Sequence, residues 1–249
     1  MRAIRPVNTE ENNFCRHIED LIRSSQKHFC VKYSGFLTER EQQLAQVTAD
    51  SMGCGCSFYG GYADATRKIF AVDESADEDF PLSAVTFFFR KQDSLTHRNF
   101  LGTLMSLGIN RDLIGDIKVG RGEAIIFVSS AAASLVLNEI TKIGKVGVRA
   151  EEGIQAEIPP QEYEILLQTV SSLRADAVVS AVCGVSREKS SSLIRSGSVV
   201  LSGVQLDSVS DNIEVGEVFS IKGYGKYILS EIGNTTKKGK VHITIKKYK

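Results

Sequence analysis

A run of serines and basic residues, SREKSSSLIR at 186–195, is the part of the sequence best suited to binding an anion. Helical spacing of about 100° per residue places Arg187, Ser191 and Arg195 in one row along a helix. Ser186 can cap that helix, and the N–H groups of a helix start attract phosphates. Arginine suits such contacts because its planar guanidinium can bind phosphate through two hydrogen bonds. The alternative is a solvated surface helix whose serines aid solubility.

The apolar side of the same helix is narrow. Leu193 and Ile194 lie on either side of Ser190 on the helical wheel, so a small residue sits inside the apolar sector. A small side chain at a helix contact lets the two helix axes approach each other. The pattern therefore predicts close packing against the preceding helix.

The formal net charge of zero hides an uneven distribution of charge along the 249 residues. Residues 1–164 carry 18 basic and 23 acidic side chains, whereas residues 165–249 carry 12 and 7. Residues 222–249 contain eight lysines and one acid, Glu231. A basic segment on an otherwise acidic chain indicates binding of a polyanion, with a solvated lysine-rich tail as the alternative.

Other residues that could do chemistry form no recognisable site. Cys54 and Cys56 have no second cysteine pair and no histidine at metal-finger spacing, so a turn with two buried thiols is favoured over a metal site. THRN at 96–99 is superficially similar to the catalytic loop of protein kinases, but the other kinase motifs are missing, so His97 is better explained as an early helix residue. The glycines of GG at 60–61 and GRG at 120–122 fit neither a dinucleotide-binding loop nor a phosphate-binding loop. We therefore predict a protein without catalytic residues, metal or cofactor.

The strand SAVTFFFR, at 83–90, suggests a second way to bind nucleic acid. Its phenylalanines could stack on bases, as in RNA-recognition motifs, but the consensus sequence of those motifs is missing. Alternation places Val85, Phe87 and Phe89 on one face, which favours packing in a core.

The elements that position these residues follow from periodicity and turn residues. Residues 1–50 are predicted to be helical, RKIFAV to be a strand, and the acidic run DESADEDF to be a loop. From 82 to 150 the predicted order is strand, helix, strand, strand, helix, strand. Thr96 caps the first of these helices and Gly108 stops it; SAAASLVLNEITKIG is the second. This order is that of the ferredoxin-like, split βαβ arrangement.

The segment EEGIQAEIPPQEY predicts a domain boundary because of its proline pair. After it, residues 161–173 are predicted to be helical, and DAVVSAVC is a short helix stopped by Gly184. The helix at 186–195 follows, and SVVLSG, EVFSIKG, KYILSEI and KVHITIKKY are predicted strands. GNTTKKGK predicts a lysine-bearing hairpin loop between the last two strands.

The bulk composition is that of an ordinary soluble globular protein with two or three domains. No apolar run is long enough to span a membrane, and the N-terminus lacks the apolar core of a signal peptide. Five cysteines, odd in number and mostly scattered, indicate reduced thiols. We expect a cytoplasmic protein.

Residues 173 to about 223 resemble the S-four-like RNA-binding domain, named for a small-subunit ribosomal protein. LRAD at 173–176 is similar to the R-L-D opening of that family, with Ala175 in place of leucine. SREK is similar to its S-R start, and LIRSGSVVLSG to its helix–glycine–strand signature. Ser202 stands where asparagine is common, and GEVFSIKG resembles the late G-D-x-hydrophobic strand, with Glu217 for the aspartate.

Residues 55–249 also resemble the YlmH-type proteins of bacteria, through FYGGYADATRKIF, LTHRNFLGTLMSLGINRDLIGDI and GYGKYILSEIGNTTKKGK. The resemblance implies a cytoplasmic RNA-binding protein without known enzymatic activity. It implies a role in ribosome quality control, on large subunits that carry an obstructed peptidyl-tRNA, and older descriptions link the family to cell division. The implied partners are ribosomal RNA and, as a further candidate, tRNA.

The expected fold class is α+β. It comprises a mostly helical segment at 1–75, a ferredoxin-like (RRM-like) domain at 76–155 and the S-four-like domain, two helices and a small sheet, at 165–249. The residues expected to bind RNA are Arg174, Ser186, Arg187, Lys189, Ser191, Arg195, Lys222, Lys226, Lys237, Lys238 and Lys240.

Two other functions stay open. Similar RNA-binding modules are joined to pseudouridine synthases or methyltransferases, so residues 1–164 could hold a catalytic centre. Asp64 and Asp116 can be nominated for it, although both are more simply turn or cap residues. The acidic N-terminal half could instead bind basic ribosomal proteins, or Arg98, Arg111 and Arg121 could give the middle domain an RNA face.

Overall fold

The chain divides into two compact units between Pro160 and Gln161. The computed structural model describes residues 4–72, 80–237 and 239–248. The acidic run at 73–79, predicted to be a loop, and Lys238 lie outside the described residues. Among the helices of the described residues, none is long and apolar enough to cross a membrane.

The first unit mixes helices and short strands. Its helices are α1 (Thr9–His28), α2 (Glu39–Ser51), α3 (His97–Ser106) and α4 (Ser130–Glu139), with a 3-10 turn at Arg111–Leu113. Its strands are β1 (Tyr33–Leu37), β2 (Ser57–Tyr59), β3 (Lys68–Ala71), β4 (Leu82–Phe88), β5 (Ile114–Val119), β6 (Glu123–Ser129), β7 (Lys142–Ile143), β8 (Val146–Gly147) and β9 (Arg149–Glu152). Residues 1–50, predicted to be helical, contain the helices α1 and α2, but Tyr33–Leu37 between them is strand β1, because its backbone pairs with β3. The predicted RKIFAV strand is confirmed as β3.

Four of the described strands form a sheet in the order β5-β6-β4-β9, and all neighbouring pairs are antiparallel. The predicted succession of strand, helix, strand, strand, helix and strand is confirmed. Thr96 is the N-cap of α3, and its backbone N–H donates to Asn99 Oδ1 at 2.9 Å. Helix α4, predicted to run on to Gly144, ends at Glu139 instead. Gly144, with a φ of 59°, turns the chain between β7 and β8, and that hairpin replaces the last helical turn.

Strand β6 connects the two halves of the first unit because both of its faces are buried. Alternate residues of a strand point to opposite sides. Ile126 packs under α3 and α4, whereas Phe127 packs against Phe36 and Ile69 of the N-terminal strands. Residues 1–75 and 76–155 therefore lie in the same compact unit.

The aromatic strand β4 packs in a core, as its alternation predicts. Phe87 is fully buried and its ring centroid lies 5.7 Å from that of Phe100 on α3. Val85 belongs to the same core, and Phe89 packs against it. The ring of Phe87 is therefore not accessible to a base.

The second unit consists of two helices packed on a sheet. The helices are α5 (Ala175–Cys183) and α6 (Arg187–Arg195). The strands are β10 (Tyr163–Val170), β11 (Val199–Leu201), β12 (Val204–Gln205), β13 (Val218–Ile221), β14 (Gly225–Thr235) and β15 (Val241–Tyr248). They are arranged in the order β10-β15-β14-β13-β11-β12. Both short helices and the four predicted strands are confirmed.

The prediction of a helix at 161–173 is wrong. Tyr163–Val170 is strand β10, and it pairs with β15 along its whole length. Its side chains alternate, so that Leu166 packs on the core of the unit whereas Leu167 is 76% exposed. The backbone of β15, far along the chain, supplies the hydrogen bonds, and this long-range pairing outweighs the local preference for a helix.

The turn between β11 and β12 gives a first prediction. Ser202 and Gly203 form a two-residue loop with φ values of 50° and 80°. Hairpins with two positive φ angles prefer Asn-Gly, because asparagine tolerates the left-handed region better than serine does. We expect Ser202→Asn to raise the free energy of unfolding by about 0.5–1 kcal/mol and Gly203→Ala to lower it by about 1 kcal/mol. Urea denaturation checks both values, and a destabilised Ser202→Asn variant would contradict the assignment of the turn.

Candidate nucleic-acid interface

Helices α5 and α6 pack closely through a small side chain. Ser190 of α6 is fully buried, and its hydroxyl donates to the backbone carbonyl of Asp176 on α5 at 2.7 Å. Ile194 is buried one turn later on α6. The close approach predicted from the apolar sector is confirmed.

The start of α6 also has the predicted geometry. Ser186 is its N-cap, and Ser186 Oγ accepts a hydrogen bond from the backbone N–H of Lys189 at 3.2 Å. Arg187, Ser191 and Arg195 follow at i, i+4 and i+8 on the helix. The hydroxyl of Ser191 donates to the carbonyl of Arg187 at 2.8 Å, so its proton is used inside the helix. Only its oxygen lone pairs remain for a ligand.

An ion-pair cluster of Asp176, Arg174 and Arg187, the Asp176 cluster, orients one end of this row. Nη2 and Nε of Arg187 lie 2.7 and 3.2 Å from Asp176 Oδ2. Nε of Arg174 lies 3.3 Å from Oδ1. Nη1 of Arg187 also donates to Ser171 Oγ at 3.1 Å. A guanidinium has five N–H donors, so two of those on Arg187 stay available to a ligand.

The carboxylate in the Asp176 cluster is buried, whereas its two partners reach solvent. The side chains of Arg174 and Arg187 are 43% and 47% exposed. Burial by itself would raise the pKa of Asp176, but hydrogen bonds from Arg187 and Arg174, together with their charges, outweigh it and leave the pKa below its ordinary value. Asp176 therefore stays ionised and holds two cationic groups side by side. Sequence reasoning missed this role, although Asp176 is the last residue of the LRAD match.

Five of the predicted residues present unpaired cationic side chains: Lys189, Arg195, Lys222, Lys237 and Lys240. All five are exposed, and their side chains make no hydrogen bond or ion pair with another described residue. The backbone N–H of Lys222 donates to the carbonyl of Ser198 at 2.9 Å, which places Lys222 beside the C-terminal end of α6.

Lys226 and two of these five residues, Lys237 and Lys240, lie on the β14–β15 hairpin. The predicted hairpin connection is confirmed, but residues 233–235 of GNTTKKGK extend β14, so the turn that carries Lys237 and Lys240 begins after Thr235. Lys238 lies outside the described residues. Lys226 is at the other end of the hairpin, and its Nζ lies 4.7 Å from the centroid of the Tyr248 ring. The described residues of the predicted set therefore come from several elements: the start of α5, helix α6, the β13–β14 turn and the β14–β15 hairpin.

Asp116 is neither a turn nor a cap residue, contrary to the expectation from sequence. It lies on β5 and is 9% exposed. Its Oδ2 accepts hydrogen bonds from the hydroxyl of Tyr62 and the N–H of Thr66, both at 2.7 Å, and its Oδ1 accepts from the N–H of Arg67 at 3.1 Å. Burial and the Asp116 carboxylate raise the pKa of Tyr62 above its ordinary value. These contacts indicate a structural carboxylate that fastens the 62–67 turn to β5.

The arginines considered for an RNA face on the first unit differ in their surroundings. Arg98 and Arg121 are exposed. Arg111 donates from Nη1 to the carbonyl of Ile114, and burial together with the charge of Arg67 lowers its pKa to about 10. Arg111 therefore holds the backbone at the start of β5.

No group of three or more histidine, cysteine, aspartate or glutamate side chains in the described part of the chain is arranged to hold a metal ion. Cys54 and Cys56, predicted to be buried thiols in a turn, are half-buried at the edge of the N-terminal core. The Cys56 thiol donates to Gln46 Oε1 at 3.6 Å.

Comparison with known proteins shows the family of this chain. A family model described as a putative RNA-binding domain in YlmH matches residues 75–157. The chain is also 32% identical over 247 residues to "Ribosome-associated protein quality control protein P2" of Bacillus subtilis (strain 168), and the match covers 96% of each chain. The chain belongs to the YlmH family.

A solved structure has a similar fold. The "Cell division protein ylmH from Streptococcus pneumoniae" matches with a TM-score of 0.53 and 23% identity, over 62% of this chain and 98% of that one. The family model and the Bacillus relative confirm the YlmH resemblance inferred from sequence. The YlmH domain described as RNA-binding spans β4 to β9 of the first unit, a region in which sequence reasoning left RNA and protein contacts undecided.

Proposed function

We propose that this protein is a non-catalytic RNA-binding factor that acts on ribosomal RNA of the large subunit in ribosome-associated quality control. The observation that carries the proposal is the exposed face of α6. There the Asp176 cluster orients Arg187, and Arg195, two turns further on, is exposed and pairs with no described residue. The match to a family model described as RNA-binding and the name of the Bacillus relative support it. We extend the proposal to tRNA on the same subunit, to a cytoplasmic location and to the link with cell division named for the Streptococcus structure.

The proposal includes a domain assignment. We infer that residues 165–249 contain an S-four-like domain, supported by the pair α5–α6 followed by β11 and β12. We infer that residues 76–155 are ferredoxin-like, supported by the strand order β5-β6-β4-β9. Residues 1–75 form the third segment, and the acidic first 164 residues are proposed to contact basic ribosomal proteins.

The mechanism that this geometry supports is electrostatic. Cationic side chains release counterions from the phosphate backbone, so affinity depends on their number and on salt concentration. The N–H groups at the start of α6 and the two available donors of Arg187 add directed hydrogen bonds to phosphate. Lys222, Lys237 and Lys240 extend the positive surface beyond the helix. Specificity for one RNA element would then come from the spacing of these groups.

We expect Arg195→Ala to weaken binding to large-subunit ribosomal RNA roughly five- to tenfold and to reduce the slope of log K against log salt by about 0.9. Arg195 is the sharpest test because its side chain is exposed and makes no hydrogen bond or ion pair with a described residue. Glu188→Gln, in the first turn of α6, removes an acid from the same surface and is expected to strengthen binding. Both effects are measured by filter binding over a range of potassium chloride concentrations.

The matched control for these variants is Arg23→Ala. Arg23 is an exposed arginine on α1 that pairs with Glu19 and belongs to the other unit. The Arg23→Ala substitution removes the same charge from the chain as Arg195→Ala. An equal loss of RNA affinity in the two variants would therefore show that only the net charge of the chain matters. That result would overturn the assignment of the α6 face.

A further inference from the structure

The side of the β10–β15 pair that points away from the core carries tyrosine, lysine and aliphatic side chains that have no role in the proposed function. The directly paired residues Tyr163 and Tyr248 point to the same side of the sheet, as do Ile165 and Lys246. Leu167 follows on β10, and Lys226 lies beside Tyr248 on β14. We call this surface, formed by these six residues, the outer face.

Two tyrosine rings and two lysines form one end of the outer face. The rings of Tyr163 and Tyr248 meet edge to face, with centroids 5.1 Å apart. The Nζ of Lys246 lies 5.6 Å from the centroid of Tyr163, and that of Lys226 lies 4.7 Å from the centroid of Tyr248. Aromatic rings interleaved with cations are the combination on which single-stranded nucleic acids stack.

Exposed aliphatic side chains continue the outer face along β10. Ile165 is 53% exposed and Leu167 is the more exposed of the two, although both lie in the middle of a regular strand. From Tyr163 to Leu167 the strand advances about 13 Å. That length is similar to the sheet platform on which RNA-recognition domains stack two or three bases.

The far end of the same strand pair is polar. A cavity of about 240 Å³ lies there, and Leu167, Gln168, Thr169 and His242 are among the residues that line it. Thr169 Oγ1 and His242 Nδ1 are 3.1 Å apart. Of these residues, Thr169 and His242 lie on the outer side of the strand pair, and their hydroxyl and imidazole groups can donate to or accept from the edge of a base.

The charge of the outer face also suits a polyanion. Its six residues include two lysines and no acid. Glu164 of β10 points to the opposite side of the sheet, where its carboxylate lies 4.0 Å from Lys247 Nζ, and Glu231 of β14 pairs with Thr244 of β15. An apolar protein partner would fit Ile165 and Leu167, but it would not use lysines held over tyrosine rings. The combination therefore favours nucleic acid as the occupant.

We propose that the outer face is a second RNA-binding surface, which stacks unpaired bases of single-stranded RNA. It extends the proposed function and does not depend on the residues of α6. The face of α6 would bind phosphates of structured RNA, whereas the outer face would bind exposed bases.

The test uses the full chain and two labelled probes, a short single-stranded oligoadenylate and an RNA duplex of the same length, in fluorescence anisotropy. We expect Tyr163→Ala and Leu167→Ser each to raise the Kd for the single strand about tenfold and to leave the Kd for the duplex unchanged. The strongly exposed Leu167 can be replaced without disturbing the core, and thermal denaturation verifies that both variants fold. Val215→Ser, at an exposed apolar residue of the same unit that lies outside the outer face, is the matched control.

The possible outcomes separate this proposal from the proposed function. Binding of the duplex without binding of the single strand would overturn the outer-face proposal and leave the α6 proposal intact. An equal loss for Val215→Ser, or a loss of duplex and single-strand binding together, would also overturn it. So would a Leu167→Ser variant that binds the oligonucleotide normally but no longer binds isolated ribosomal proteins, since the occupant would then be a protein.

Discussion

Replacing Asp116 by alanine is expected to lower the free energy of unfolding of the first unit by about 3–5 kcal/mol. The change leaves the N–H groups of Thr66 and Arg67 and the hydroxyl of Tyr62 without their acceptor, close to a core that excludes water. Each buried donor without a partner costs about 1–3 kcal/mol. Asp116→Asn keeps the shape and one acceptor atom, so it should cost less than alanine and still be destabilising.

Hydrogen exchange of the 62–67 segment, combined with urea denaturation, measures this effect. The control is Asp64→Ala, which removes the exposed carboxylate of the same turn and should change stability by no more than about 0.5 kcal/mol. Binding of duplex RNA through α6 should be unaltered in the folded Asp116→Asn variant. If Asp116→Ala unfolded no more easily than Asp64→Ala, the structural assignment of Asp116 would be wrong and its use in catalysis would become the better explanation.

Replacing Asp176 by asparagine is expected to cost the second unit about 2 kcal/mol at neutral pH. Removing one partner of a fully buried ion pair costs about 3–5 kcal/mol. The value here should be smaller because Arg174 and Arg187 remain about half exposed, and exposed pairs contribute little. The hydrogen bond from Ser190 is to the backbone carbonyl of Asp176, so the packing of α6 on α5 is retained in the variant.

The same substitution has a defined pH dependence. Because the pKa of Asp176 is lower in the folded chain than its ordinary value of 3.8, its ion pairs stabilise the fold fully above that value. This stability is lost as the pH falls through the lowered, folded-state pKa. The difference in unfolding free energy between the wild type and Asp176→Asn should therefore be constant near neutral pH and disappear in acid. Urea denaturation at a series of pH values measures it, and a difference that persists unchanged in strong acid would show that charge is not its cause.

Much of the second unit could be predicted because its signals are local. The N-cap of α6, the stop of α5 at Gly184 and the hairpin turn near Gly239 each depend on residues within one or two turns of each other. Close packing of α6 on α5 could also be predicted, because Ser190 is a small residue inside the apolar sector of the helix. The uneven distribution of charge between residues 1–164 and 165–249, and the row of Arg187, Ser191 and Arg195 on α6, likewise follow from the sequence alone.

The errors share one property, which is that the deciding partner is distant in sequence. Strand β10 has residues that are compatible with a helix, and only pairing with β15 makes it a strand. The same pairing places Tyr163 beside Tyr248, so the outer face has no continuous sequence motif. Asp116 lies about fifty residues from the turn that it fastens, and its chemistry therefore could not be read from its neighbours.

The amino-acid sequence is enough to predict a basic C-terminal module, a capped helix with a row of side chains suited to phosphate, and a resemblance to the YlmH family. It does not indicate which of these side chains already have partners in the folded chain. Arg187 shares Asp176 with Arg174, whereas Arg195 pairs with no described residue. Caps and helical rows depend on neighbours along the chain, whereas ion pairs and strand pairing depend on which distant residues the fold brings together.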